Sequence, residues 1–347
     1  MAYEEYSVEK EIAEFFGKTS VTRSACDARA KELVGGDVSI VNVQGACSYT
    51  VYAGPDLEYV VQFRLKSLKL DLGTLTLART IYGSLAPSAS FKGQMGDESH
   101  DKEPLCVYVM ARIKGVTHLD LILAATTPEN SPERFAERER LMADIGILFA
   151  KAWKSPQPID GEYREKLRKR PDGELRMLLG ALPERFHVFI QRCLDEIDSI
   201  MSLPMVLTHQ DFGTCNIMVD ATTCNLVGVL DWAEAEICPF GLNLQILQSF
   251  TGKLHLRNGW SRYEDYNNLQ NVFWGTFRDE VGGLTDDQMR IIRLARILGL
   301  LISDGFTSRM ANEPEPVPIG NDERGRYNML SLDGFLINPT TKFEDIK

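Results

Sequence analysis

Residues 207–241 constrain this chain more than any other stretch. They run Leu-Thr-His-Gln-Asp-Phe-Gly-Thr-Cys-Asn-Ile-Met-Val-Asp, then a polar turn, then Leu-Val-Gly-Val-Leu-Asp-Trp-Ala-Glu. His209, Asp211 and Asn216 stand in the spacing His-x-Asp-x-x-x-x-Asn, and Asp231 closes an apolar run. The segments 217–220 and 226–230 read as two short strands around the turn 221–225. A hairpin folds its ends together, so Asn216 and Asp231 are expected at one mouth, where a hard cation prefers oxygen ligands.

These residue types suit phosphoryl transfer. That chemistry needs a carboxylate to take the acceptor's proton and two oxygen ligands for magnesium. Asp211 is the candidate base; Asn216 and Asp231 are the candidate metal ligands. Taken singly, each could be an ordinary turn cap or strand end, but together on a loop and hairpin they favour a kinase-type site.

On these residues the stretch resembles the aminoglycoside phosphotransferase and choline kinase family, and its wording is similar to that of fungal members. The resemblance implies a protein-kinase-like, two-lobed α+β fold with a small β-sheet N-lobe and a mainly helical C-lobe. It implies ATP- and Mg²⁺-dependent phosphorylation of a hydroxyl or amine on a small molecule. The expected layout is N-terminal helices over 1–36, a nucleotide-binding lobe with its hinge over 37–115, and a helical lobe with the catalytic loop over 116–347.

Periodicity fills in the elements. Residues 4–16 are amphipathic up to Gly17, and Thr22 reads as the N-cap of a second helix that closes at Gly35-Gly36. From Asp37 the period changes to two, giving a three-strand meander over 38–43, 48–53 and 57–64. In kinase-like folds the first turn carries small residues so that backbone N–H groups approach the phosphates. Gly45, Ala46 and Ser48 match that loop in type, although an ordinary hairpin turn explains them too.

The third strand departs from the family pattern. Gln62 stands where kinases place a lysine, Arg64 lies two residues on and so faces the same side, and the helix expected over 71–82 contains no Glu to pair with either. Arg64 and Gln62 are the candidate phosphate contacts; the alternative for Arg64 is a solvated edge arginine. Residues 84–104 are rich in turn formers and read as irregular. A strand over 105–110 leads into Ala111 to Gly115, which resembles the adenine-reading hinge and makes Met110, Ala111 and Ile113 candidate nucleotide contacts. A helix from Ser131-Pro132 to Lys151 follows, with further helices over 161–179, 183–200, 242–250, 263–278 and 285–302 and a loop-like tail after Ala311.

His209 reads as scaffold beneath the metal-binding segment, and His100, His118, His187 and His255 show no ligand spacing. Cys215 is filler, and the seven scattered cysteines suggest neither disulfides nor zinc. Glu234 and Glu236 either meet a substrate amine or form a solvated turn. Asn243 stands where the family has a later Asp. Trp232, Trp260 and Trp274 could line an acceptor cleft, but core is the commoner fate.

Composition adds exclusions. The net charge of −11 argues against nucleic acid or an anionic membrane as the main partner and fits a cationic or neutral small acceptor. No run of about 18 apolar residues spans a membrane, and the N-terminus lacks signal-peptide character, so a cytoplasmic enzyme is expected. Two other readings remain open: a pseudokinase-type ligand-binding protein, and a kinase fold recruited to non-phosphoryl chemistry in secondary metabolism.

Overall fold

Ser7 and Thr22 start the first two helices by the same device, each side-chain oxygen accepting a backbone N–H from the opening turn. Helix α1 (Val8–Phe16) ends at Gly17, and α2 (Arg23–Val34) ends at Gly35, whose φ of 71° suits glycine. The computed structural model describes residues 6–99, 101–255, 257–307, 314–320, 322–323 and 325–344. The chain divides after Lys114 into two compact units.

The first unit is a five-stranded antiparallel sheet with helices. Its strands are β1 (Asp37–Ile40), β2 (Ser48–Gly54), β3 (Tyr59–Leu65), β4 (Ala89–Met95) and β5 (Leu105–Ala111), in the order β1-β2-β3-β5-β4. Helix α3 (Leu72–Tyr82) enters between β3 and β4, capped by Asp71. Alternation divides the sheet into faces. Tyr49, Val51, Ala53, Val61, Phe63 and Leu65 are buried, with Tyr49 stacked on Phe63 at 6.2 Å and 5.1 Å from the Phe16 ring of α1. The opposite face of β2 and β3 carries Ser48, Thr50, Gln62 and Arg64.

Strand β4 corrects the expectation of an irregular 84–104. Its Ser, Lys, Gly and Gln residues lack a strand signature, yet it pairs with β5 along most of its length, with a bulge between Phe91 and Gln94 where Gly93 adopts φ 101°. An edge strand can be this polar because only one side of it is hydrogen-bonded.

The second unit is mainly helical. It begins with β6 (Val116–Thr117), α4 (His118–Ala124), α5 (Pro132–Trp153), α6 (Gly161–Ala181), α7 (His187–Asp195) and α8 (Ile197–Met201). Strands β7 (Met205–Thr208), β8 (Ile217–Val219), β9 (Leu226–Val229) and β10 (Glu236–Pro239) follow. Then come α9 (Gln248–Thr251), β11 (Gly252–His255), β12 (Gly259–Arg262), α10 (Tyr266–Glu280), α11 (Asp286–Asp304) and α12 (Arg326–Leu332). Helix α10 packs along α5. Between them Phe149 meets Phe212, Phe240 and Phe273 edge-on at 5.8–6.3 Å. None of the described helices is long and apolar enough to cross a membrane.

This unit departs from the sequence reading in three places. The single helix over 242–250 is a 3-10 turn, Leu244–Leu247, running into the short α9. The β11–β12 hairpin, which no alternation signals, is antiparallel with Gly252 opposite Arg262. The tail is not all loop: α12 and the π turn Asp333–Ile337 bury Met329, Leu332, Phe335 and Leu336, with α12 against α11.

Gly299 sits at the tightest approach. A Cβ there would lie 1.6 Å from the Leu242 carbonyl oxygen, so α11 or the segment after the candidate metal ligand must move. Gly299→Ala is therefore expected to cost about 1–3 kcal/mol, read from the denaturant midpoint. Gly173→Ala is the control: nothing lies within 4 Å of its Cβ on α6, and a gain of about 0.5–1 kcal/mol is expected.

Candidate active site

Two strand pairs hold the loop that carries the candidate base. β7 pairs with β10 and β8 with β9, so residues 209–216 bridge two small sheets. The hairpin closes at its mouth by a hydrogen bond of 2.7 Å from the Leu230 N–H to the Asn216 carbonyl. This brings Asn216 next to Asp231. Asp231 itself is held at φ 52°, ψ 67°, a left-handed conformation uncommon for a non-glycine residue.

Within the loop, Asn216 Nδ2 donates to both the Asp211 carbonyl (2.8 Å) and Asp211 Oδ2 (2.7 Å). Its amide nitrogen is thereby committed, and Oδ1 accepts from none of the described residues. The Asp211 side chain reaches solvent, while partial desolvation by the surrounding protein pushes its carboxyl above the usual range. The hydrogen bond from Asn216 and the neighbouring His209 oppose that shift; the like charge of Asp231 reinforces it.

His209 lies beneath. Burial holds its imidazole below the ordinary value, and Nε2–H donates to the Leu230 carbonyl at 2.7 Å. The ring meets Trp232 at 4.9 Å, and Asn243 Nδ2 donates to the His209 carbonyl at 3.3 Å. His209 is thus scaffold, and Asn243 braces the loop. Phe212 turns inward against Phe149 and Phe250. Trp232 is buried with Nε1 on the Val229 carbonyl, and Trp260 and Trp274 pack on Phe335 and Phe273, so all three tryptophans serve the core.

The far end of the hairpin is locked by residues that the sequence does not flag. Asp220 Oδ1 accepts the N–H groups of Thr222 and Thr223, an Asx-type turn. From α5, Asp144 Oδ2 accepts Leu226 N–H and Asn225 Nδ2, while Arg140 Nε donates to the Thr223 carbonyl. Asp144 and Arg140 look like routine polar positions on a helix; only the fold shows their partners.

Acidic groups flank the loop. Gln210, beside Asp211, donates to Glu236 Oε1 at 3.1 Å. Arg170 lies between two carboxylates, 3.5 Å from Glu236 Oε2 and 3.1 Å from Glu174 Oε1. Burial raises the Glu174 carboxyl in spite of Arg170. Glu234 is exposed.

The candidate nucleotide contacts all lie in the first unit. Gly45 and Ala46 are exposed on a loop that the buried Gln44 pins through both ends of its amide. Gly45 has no left-handed φ and a Cβ there would meet nothing, so the backbone does not demand glycine. Ser48, Gln62 and Arg64 form a chain: Gln62 Nε2 donates to Ser48 Oγ (3.0 Å), Arg64 Nη1 to Gln62 Oε1 (3.5 Å), and Arg64 Nε to the Leu68 carbonyl (2.7 Å). Arg64 is 4% exposed on an inner strand, which corrects the edge-arginine alternative. No acid is present on α3. On β5, the half-buried Met110 pairs with Val60 and the exposed Ala111 with Tyr59; Ile113 is half-buried beyond the strand.

Of the other histidines, His187 Nε2 bonds the Leu182 carbonyl and His255 Nδ1 accepts the N–H groups of Arg257 and Asn258; His100 lies outside the described residues. Among the described residues, which include every cysteine, no disulfide forms. The described residues also contain no cluster of three or more His, Cys, Asp and Glu suited to a metal.

His118 behaves differently. Burial, with Arg134 nearby, lowers its imidazole to about 4 from 6.5. A depressed histidine stabilises fully above 6.5, and its contribution is lost as pH falls through 6.5 towards 4, because the unfolded chain binds the proton first. The loss is roughly 3 kcal/mol. His118→Gln is expected to flatten the stability-versus-pH curve by about that much across this window, checked by denaturant titrations at pH 7 and 4.

The model of the phosphotransferase enzyme family matches residues 90–254. Among solved structures, a candidate aminoglycoside phosphotransferase from Ralstonia eutropha is 16% identical, with 82% of this chain and 88% of that chain covered and a TM-score of 0.53. A choline/ethanolamine kinase family protein from Mesorhizobium loti is 15% identical, covering 80% and 83%, with a TM-score of 0.47. Curated proteins offer no significant match. The family match and the Ralstonia eutropha structure bear out the resemblance read from residues 207–241, and with it the kinase-like α+β fold with a small antiparallel sheet and a mainly helical part.

Proposed function

We propose that this chain transfers the γ-phosphoryl group of ATP, with Mg²⁺, to a hydroxyl or amine of a small molecule. The observation that carries this reading is the Asn216 amide, which grips both the carbonyl and the carboxylate of Asp211 while Leu230 brings Asp231 to the same mouth. Asp211 takes the proton from the acceptor as the new bond to phosphorus forms and the bond to the ADP oxygen breaks. Its raised affinity for a proton suits that task.

The donor set fits magnesium: a neutral amide oxygen, Asn216 Oδ1, and one carboxylate, Asp231, next to a second carboxylate whose repulsion a cation relieves. When bound, the ion neutralises charge on the phosphate oxygens. In the first unit we assign the Ser48–Gln62–Arg64 chain to the phosphate oxygens, and Met110, Ala111 and Ile113 to the adenine. Glu236, which accepts from Gln210 beside Asp211 and lies 3.5 Å from Arg170, is the carboxylate we assign to a positive charge on the acceptor.

A thermal-shift series with ATP and GTP, with and without Mg²⁺, tests the site. Nucleotide at a hundred times its Kd is expected to stabilise the wild type by about 2.7 kcal/mol, only with Mg²⁺, and Asp231→Asn should lose most of the shift. A shift that ignores Mg²⁺, or survives Asp231→Asn, would remove Asp231 from the site. The acid-free α3 and Gln62 favour a second reading, nucleotide binding without transfer. Mg²⁺-dependent binding with no phosphorylation of any amine or alcohol acceptor would select it.

A further inference from the structure

Tyr6 stands just before α1 and is 50% exposed, so its ring is not a core group. Its hydroxyl is nonetheless engaged. It accepts the Gln44 N–H at 2.6 Å and donates to the Gln44 carbonyl at 3.3 Å, across 38 residues of chain. A half-solvated ring contributes little by burial. What Tyr6 brings is one group, donor and acceptor at once, set on both main-chain polar groups of a single residue.

That residue closes the candidate phosphate loop. Gln44 is 4% exposed, and its amide spans the neck of the loop: Nε2 donates to the carbonyls of Val41 (3.2 Å) and Thr50 (2.8 Å), while Oε1 accepts the Thr50 N–H (2.9 Å). Gly45 and Ala46 follow, both exposed, and the Ser48 N–H turns back to the Gly45 carbonyl at 3.4 Å. The Gln44 side chain thus fixes the neck, and its main chain, from which the loop departs, is what Tyr6 holds. Tyr6 is anchored in turn. Ser7 caps α1, Ile12 and Phe15 are buried, and the Phe16 ring lies 5.1 Å from that of Tyr49 on β2. The whole arrangement lies within the first unit.

We propose that Tyr6 is a positioning residue of the nucleotide site: its hydroxyl latches Gln44 and so holds the backbone of residues 45–47 in the shape that meets the phosphates of ATP. This rests on the phosphotransferase reading and extends the site to a group outside the nucleotide-binding sheet. Backbone N–H groups form an anion-binding concavity only in particular conformations, and a loop already held in one of them binds without a further ordering cost.

The full chain is compared as wild type, Tyr6→Phe and Tyr6→Ala, by hydrogen exchange at the Gln44 amide and by titration with Mg·ATP and with adenosine, which carries no phosphate. Both variants are expected to exchange Gln44 roughly tenfold faster and to bind Mg·ATP roughly tenfold more weakly, with adenosine affinity unchanged. The Phe variant should be as defective as the Ala variant, because the hydroxyl and not the ring is the latch. Unchanged exchange in Tyr6→Phe would overturn the latch whatever the nucleotide does. Faster exchange with undiminished Mg·ATP affinity would overturn the positioning role, as would an equal loss for adenosine, or a Tyr6→Phe that behaves as wild type beside a defective Tyr6→Ala. A wild type that binds no Mg·ATP would overturn the proposal together with the phosphotransferase reading, whereas normal binding by wild type and variants alike overturns the proposal alone.

Discussion

Asp211→Asn is expected to lower turnover by roughly 10²–10⁴-fold while raising the melting temperature at neutral pH. The two effects share one cause. The folded chain holds the Asp211 carboxyl above its usual range by desolvation, with Asp231 adding to the shift, so the ionised form is less comfortable folded than unfolded. That penalty is fully present above the raised folded value and vanishes below the ordinary carboxylate value. The stabilisation by Asn should therefore be present at pH 7 and gone near pH 3.8. In the wild type, the acid limb of kcat/KM should have its midpoint above the ordinary Asp range. Turnover of the Asn variant within threefold of wild type would remove Asp211 from the chemistry, and a lower melting temperature at pH 7 would contradict the electrostatic account.

Asp265→Ala is the largest expected loss of stability. Arg138 and Asp265 form a bidentate pair with side chains 8% and 7% exposed, 2.9 Å apart, and the guanidinium lies 4.5 Å over the Tyr263 ring. Removing one partner leaves a buried charge uncompensated, a cost of about 3–5 kcal/mol. Asp265→Asn keeps hydrogen-bond acceptance and should lose less. Replacing both residues together, Arg138→Met with Asp265→Leu, should recover most of the loss, since paying two desolvation terms makes a buried pair no better than apolar packing. Urea midpoints of the three variants check the order; a double variant as unstable as Asp265→Ala would mean that the site needs the charges for more than mutual neutralisation.

Much of the candidate site was readable because its members sit close in the chain. Asp211, Asn216 and Asp231 fall within one loop and one hairpin, and local turn chemistry brings them together. His209 was readable as scaffold on the same grounds, and its bond to the Leu230 carbonyl shows the means. Less was readable in the first unit. Period-two alternation places Gln62 and Arg64 on one face of a strand, but only the sheet order shows that the strand is an inner one and Arg64 buried. Strand β4 carries no alternation of its own and exists because β5 offers it a pairing edge.

By itself the sequence determined the elements whose signals are local: capped helices such as α2 and α5, the meander of β1 to β3, and the spacing that sets a candidate base and two candidate oxygen ligands around a hairpin. Tertiary structure alone decided what depends on partners remote in sequence. The lock of Asp144 on Leu226 spans 82 residues, that of Arg138 on Asp265 spans 127, and the Phe250 ring stacks on that of His118. The physical reason is the same in each case. A cap or a period is enforced by neighbours within a turn or two, whereas a buried polar contact is enforced by desolvation, which acts only once the chain has closed around it.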